Sequence, residues 1–226
     1  MRLSASLSAL LLVVGCSAPP AGMPGDDDAA LDSAPVSTAA DAEAAAQPRP
    51  ALPASRCDWQ RQALPEHRAQ VDVATATLLG RFDQGSTDAQ RLAALLERTA
   101  REIGDINGAW QVRSLQLHMG EVYVYPYFEA RIDTDPCGHR FAKTTGSQRR
   151  SGVLYPIEGT PDRLAFLGAA TVNEAPPRAY DPGRPVETQF PGDANSAGWL
   201  QRIGPDELLM VFDAGPGRFE AYHLRR

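Results

Sequence analysis

VYVYPYFEARI, residues 122–132, alternates aromatic or charged side chains with mostly aliphatic ones along one short segment. Alternation with period two marks a β-strand, because successive side chains leave opposite faces of the pleat. It places Tyr123, Tyr125, Tyr127, Glu129 and Arg131 on one face, and Val122, Val124, Phe128, Ala130 and Ile132 on the other. The apolar face reads as core. The tyrosine face reads as an outer wall, or as a platform for a sugar, a peptide or an apolar ligand, since each ring offers contact area and a hydroxyl. Pro126 cannot donate to a ladder, so this strand lies at an edge or carries a bulge.

The same period runs through the rest of the chain after Gly108. Strands are expected over 110–119, 122–132, 139–145, 151–157, 163–172, 198–203, 207–212 and 218–225. Their links carry Gly, Pro, Asp and Asn and are mostly too short for a helix, which makes sequential strands antiparallel neighbours. The exception is 173–197, rich in Pro, Gly and Asp, expected as an irregular excursion over one end. A run of antiparallel strands must hide its edges by closing or by finding a second sheet. Gly108-Ala109-Trp110 at the first strand resembles the lipocalin signature, in which a tryptophan plugs the barrel beneath a C-terminal arginine. That likeness implies Arg225 as the partner of Trp110.

Residues 56–107 read as helical. Pro65 suits a first turn and opens a helix over 64–79. A second helix begins at Thr87, paired with Gln90 as a capping box, and carries Leu92, Leu95, Leu96 and Ile103 on one face as far as Gly104. The fold class expected is therefore mainly β within α+β: a small antiparallel, lipocalin-like barrel or curled sheet with an N-terminal helical segment packed on it. Residues 56–226 form one domain on this reading.

The N-terminus has the pattern of a targeting signal. Arg2 precedes an apolar run from Leu7 to Val14, too short to span a bilayer but of secretory length. Val13-Val14-Gly15-Cys16 resembles a bacterial lipobox, which implies a signal peptide over 1–15, lipid on Cys16 and, with Ser17 next, the periplasmic face of the outer membrane. Residues 16–55 are Ala, Pro, Ser and Asp with few large aliphatics, the composition of a disordered tether. In an oxidising compartment the two remaining cysteines, Cys57 and Cys137, are expected as a disulfide.

Net charge is −6, with 22 basic and 28 acidic side chains. Nothing in that balance argues for nucleic acid as a partner. Neither Asp26-Asp27-Asp28 nor Cys137-Gly138-His139 has the donor spacing of a metal site. His67, His118, His139 and His223 are scattered, and Asp133 and Asp135 sit in an apparent turn. The stretch FAKTTGSQRRSGVLYP, residues 141–156, lacks both the Walker pattern and G-x-S-x-G, and reads as strand, polar bend and returning strand. No catalytic residue, metal or cofactor is assigned.

Cys57-Asp58-Trp59, Tyr125-Pro126-Tyr127-Phe128, Phe141 to Arg149, Gly152 to Pro156, Phe166-Leu167-Gly168 and Trp199 to Pro205 together resemble an uncharacterised proteobacterial family, domain of unknown function four-eight-nine-three. The chain departs from that pattern at Val112 and Ala130, where relatives often carry cysteine, and at Arg150, where they carry proline. The resemblance implies no established activity, but it points to Lys143, Ser147, Gln148 and Arg149 as acting together.

The candidate polar cluster is thus Lys143, Thr145, Ser147, Gln148 and Arg149, with Tyr123, Tyr125, Tyr127 and Glu129. Within it, Lys143 and Arg149 flank a tight bend and would converge on an anion or on the carboxylate of Glu129. The expected function is a lipid-anchored periplasmic binding or interaction module, meeting a small molecule or an envelope component. The alternatives are an enzyme using Lys143, Ser147 and Arg149, or a purely structural envelope protein.

Overall fold

The computed structural model describes residues 56–184 and 194–226. The segments expected as signal peptide (1–15) and tether (16–55), with Cys16, lie outside these residues, as does the middle of the 173–197 excursion.

Eight strands form an up-and-down barrel: β1 (Gly108–His118), β2 (Glu121–Asp135), β3 (Gly138–Lys143), β4 (Gln148–Ile157), β5 (Thr160–Val172), β6 (Asn195–Gly204), β7 (Glu207–Asp213) and β8 (Arg218–Arg225). Each pairs antiparallel with its neighbour, and β8 returns to β1 to close the barrel. Closure leaves no unpaired edge, and eight strands give an interior that side chains can fill. Among the described residues, four short helices precede the barrel: α1 (Trp59–Gln62), α2 (Pro65–Asp72), α3 (Thr75–Leu79) and α4 (Thr87–Leu96).

The core has an inside and an outside. Inside, Trp110, Val112, Ala130, Ile132, Phe141, Leu154, Phe166, Phe212 and Tyr222 pack together. The rings of Phe141, Phe166, Phe212 and Tyr222 meet at centroid separations of 5.0–6.2 Å, so aromatics fill the middle of the barrel. Phe166 has room because Gly152 and Gly168 face each other across β4 and β5 beside its ring. Outside, Leu115, Leu117, Trp199, Leu209, Val211 and Ala221 are covered by Leu78 of α3 and Leu92, Leu95 and Leu96 of α4. Trp59 and Ala63 at α1, with Val71 of α2, cover Tyr155, Ala165, Leu167 and Ala197.

One end is plugged. Trp110 is buried with Ile103 and Ile106 and donates its indole N–H to the Ile106 carbonyl at 2.9 Å. Arg202 fixes the plug segment by donating to the carbonyls of Ile103 (2.7 Å), Asp105 (2.5 Å) and Pro205 (2.6 Å). The arginine over the indole is Arg226, 4.1 Å from the ring centroid, and not Arg225 as expected. The reason is alternation: Arg225 pairs with Gln111 and shares its outward face, so only the next residue reaches the end of the barrel. The Cys57–Cys137 disulfide ties the start of the domain to the β2–β3 turn at this same end.

Other expectations also shift. The first helix breaks at Val73–Ala74 into α2 and α3. The second is capped by Ser86, whose hydroxyl accepts from the Ala89 N–H at 3.1 Å, rather than by Thr87. It ends at Leu96, not at Gly104: Arg101 instead donates its N–H to the Arg202 carbonyl at 2.9 Å, and Ile103 joins the barrel plug.

The largest correction concerns β2. Arg113 pairs with Tyr127 but Leu115 pairs with Val124, so Tyr125 and Pro126 together oppose Ser114. This is the bulge that Pro126 announced, and one extra residue exchanges the faces of everything beyond it. Tyr123 therefore shares the inward side of Gln116, while Tyr127 shares the outward side of Arg113. Val122 and Val124 pack outside with the helices, and Phe128, Ala130 and Ile132 pack inside. The tyrosines do not form one stripe.

Candidate functional site

The described residues do not plug the end opposite Trp110. A cavity of about 420 Å³ lies there, among the ends of β1, β4, β5, β6, β7 and β8, and reaches over the rim to His67 and Gln70 of α2. This volume falls in the range of small-molecule sites.

Its floor is a buried ion pair. Register fixes the participants: Arg150 pairs with Ala170 on the inward side that Gly152 and Leu154 also occupy. Glu220 pairs with Gln116 and lies two residues from inward Tyr222. Arg150 donates through Nη1 to the Glu220 carboxylate and to the Tyr222 hydroxyl, the latter at 2.9 Å, and through Nε to Ser196 Oγ at 2.9 Å. Glu220 also accepts from the Ser114 hydroxyl and from Gln116 Nε2 at 3.1 Å. The guanidinium lies 4.3 Å from the Phe212 ring centroid, so the aromatic core supports it from below.

Burial disfavours the charged form of both groups, and each offsets that cost for the other. Desolvation works to lower Arg150, yet the charge and hydrogen bond of Glu220 keep its pKa above the ordinary value. Desolvation likewise works to raise Glu220, yet Arg150 and the donors Ser114 and Gln116 hold it below the usual carboxylate range. Tyr222 is pushed up, chiefly by burial.

Lys143 points into the barrel beside this pair. It faces inward with Ala130, donates to the Gln148 carbonyl at 2.5 Å, and sits 4.5 Å from the Phe128 ring centroid. It has no ion pair among the described residues. Burial pushes its pKa down, with Arg150 and Arg149 adding to the effect and Glu220 opposing it.

The rest of the expected cluster separates. Arg149 pairs with Thr171 on the outward side. It donates to the Gly146 carbonyl at 3.0 Å and to the exposed Glu174 at 3.2 Å, so the anticipated pair with Glu129 is not formed. Thr145 accepts through Oγ1 from the Glu129 N–H at 2.8 Å and so ties the bend to β2. Ser147 is exposed, and its carbonyl accepts from the Asn173 N–H at 2.7 Å. Gln148 accepts from Gln116 at 3.4 Å on the rim. Tyr123 and Tyr125 are exposed.

The sequence profile of the family described as Domain of unknown function (DUF4893) matches residues 59–217. The chain belongs to this family. No curated protein matches it.

The outer wall of this DUF4893 domain carries a second polar group around Tyr127. The guanidiniums of Arg113 and Arg225 lie 4.1 and 3.8 Å from its ring centroid. Its hydroxyl lies 3.0 Å from His223 Nδ1, and His223 Nε2 lies 3.2 Å from Glu207, which accepts from Arg98 at 2.8 Å. Burial lowers the His223 pKa, against the pull of Glu207.

Sequence reasoning on the DUF4893 domain passed over Arg150, Glu220, Ser114, Gln116 and Tyr222. A signal for two of them was present. Counting back by twos from Leu154 and Gly152 reaches Arg150, and counting back from Leu224 and Tyr222 reaches Glu220.

Proposed function

We propose that this chain is a lipid-anchored binding module of the periplasmic face of the outer membrane, seating a small ligand in the open end of its barrel. The observation that carries this is the asymmetry of the ends. One is sealed by Trp110 and its plug, while the other holds a cavity of about 420 Å³ above fixed polar groups. Preorganised donors over a filled core suit a small ligand held near the rim, because the aromatics below leave no deep calyx. The lipobox-like Cys16 and the Cys57–Cys137 disulfide support the location. The alternative of an enzyme using Lys143, Ser147 and Arg149 has less behind it, since Lys143 and Arg149 face opposite sides of the wall.

Two measurements test the proposal. Cys16→Ser should release the chain from the outer-membrane fraction; retention there would remove the anchor. A small-molecule thermal-shift screen of the full chain should give stabilising ligands whose effect disappears in Ser196→Trp, which fills the mouth. Stabilisation that survives this substitution would place binding elsewhere.

A further inference from the structure

Among the described residues, the walls of the cavity are not balanced in charge. Both carboxylates that these residues place there, Asp213 and Glu220, are already committed. Asp213 is gripped by the two Nη atoms of Arg81, and Glu220 accepts from Arg150, Ser114 and Gln116. The cations are not equally engaged. Arg150 uses Nε and Nη1, whereas its Nη2 makes no hydrogen bond among the described residues and is not sealed from solvent. Arg218, on the cavity rim, has no ion pair among them, and neither has Lys143 behind the floor.

A guanidinium held on three sides and open on the fourth is a rigid donor toward whatever enters. Its position is set by Glu220, Ser196 and Tyr222, so a ligand does not bear the cost of ordering it. A neutral ligand would leave this edge and the unbalanced charge in place. An oxygen anion would satisfy both.

Resting on the binding reading above, we infer that the ligand carries an oxyanion, a carboxylate or a phosphate, which docks on the open edge of Arg150 with Arg218 and Lys143 supplying the surrounding field.

The test compares matched probes on the full chain: succinate, its uncharged analogue succinamide, inorganic phosphate, and potassium chloride at equal ionic strength. Succinate or phosphate at millimolar concentration should raise the melting temperature, and succinamide and chloride should not; which of the two anions acts more strongly distinguishes carboxylate from phosphate. The double variant Arg150→Met/Glu220→Met removes the pair without stranding a charge, and should weaken anion binding at least tenfold by calorimetry. Circular dichroism and a two-state melt check that it remains folded. Equal stabilisation by succinamide, an effect reproduced by chloride, or undiminished affinity in the double variant would each overturn the inference. If neutral probes stabilise the chain and Ser196→Trp abolishes that effect, the oxyanion inference falls while the binding module stands. If no probe or screened compound responds to Ser196→Trp, both fall.

Discussion

Arg150 and Glu220 meet inside the barrel with side chains only 14% and 13% exposed, whereas Arg149, the adjacent residue, turns outward to a glutamate that is 96% exposed. Two neighbouring arginines thus do opposite work. One anchors a buried network; the other, its side chain 23% exposed, holds the Gly146 carbonyl and a surface carboxylate.

The first prediction follows from that contrast. Arg150→Met should cost about 3–5 kcal/mol, because it leaves Glu220 buried without a counter-charge. Arg150→Met/Glu220→Met should regain most of the loss, since no charge is then stranded. Arg149→Ala should cost less, about 1 kcal/mol, since it removes a hydrogen bond to the Gly146 carbonyl and a pair to an exposed carboxylate. Urea denaturation of the three variants measures all of this. An Arg149→Ala loss as large as that of Arg150→Met would contradict the assignment of inside and outside.

Acid stability provides the second prediction. The folded pKa of Glu220 is depressed, with burial opposing and Arg150 prevailing. A depressed carboxylate contributes stability that is full above its unfolded value, about 4.3, and is lost as pH falls through the lower folded value. The parent should therefore lose stability below about pH 4.3 more steeply than Glu220→Gln does. Chemical denaturation between pH 3 and pH 7 checks this, and parallel curves would show that Glu220 is not the group responsible.

The third concerns Gly152. A Cβ there would lie 2.4 Å from the Leu167 carbonyl oxygen and 2.5 Å from the Gly168 Cα, both backbone atoms that cannot swing aside. Gly152→Ala should destabilise by about 1–3 kcal/mol through overpacking. Gly159→Ala tests a different cost: nothing lies within 4 Å of its Cβ position, but φ is +73°, so any loss there is backbone strain alone. Thermal denaturation of both separates crowding from conformation.

The fourth concerns Cys57 and Cys137. Both should resist alkylation in the native protein until reduced, because they are bonded to each other across 80 residues of sequence. Closing a loop of that length stabilises by about 4–5 kcal/mol in the chain-entropy model, so Cys57→Ser/Cys137→Ser should lose up to that amount. Mass-shift counting of alkylated thiols reads the first effect and denaturation the second.

The strands were legible in the sequence because alternation and turn residues are local. All eight appear where period two and the Gly- and Pro-bearing links placed them, within a few residues. The sidedness of β2 was not legible, because Pro126 implies a bulge without saying which residue is extra, and one extra residue reverses every side chain beyond it. The choice between Arg149 and Arg150 failed for a related reason. A bend of small polar residues draws attention to its own members, while the inward face is set by register with β5, a non-local relationship. Ile103 was misread because its spacing from Leu96 also suits a helix, although tertiary packing draws it into the plug instead.

The disulfide has a mechanical consequence. Cys57 lies at the start of the domain, and its bond ends at Cys137, in the turn between β2 and β3 at the plugged end. A pull arriving along the N-terminal segment is therefore delivered through a covalent link into the base of the barrel, bypassing α1 and the helices that pad the walls. The load enters at the opposite pole from Arg150 and Glu220. Tension entering at Cys57 would reach the plugged end first.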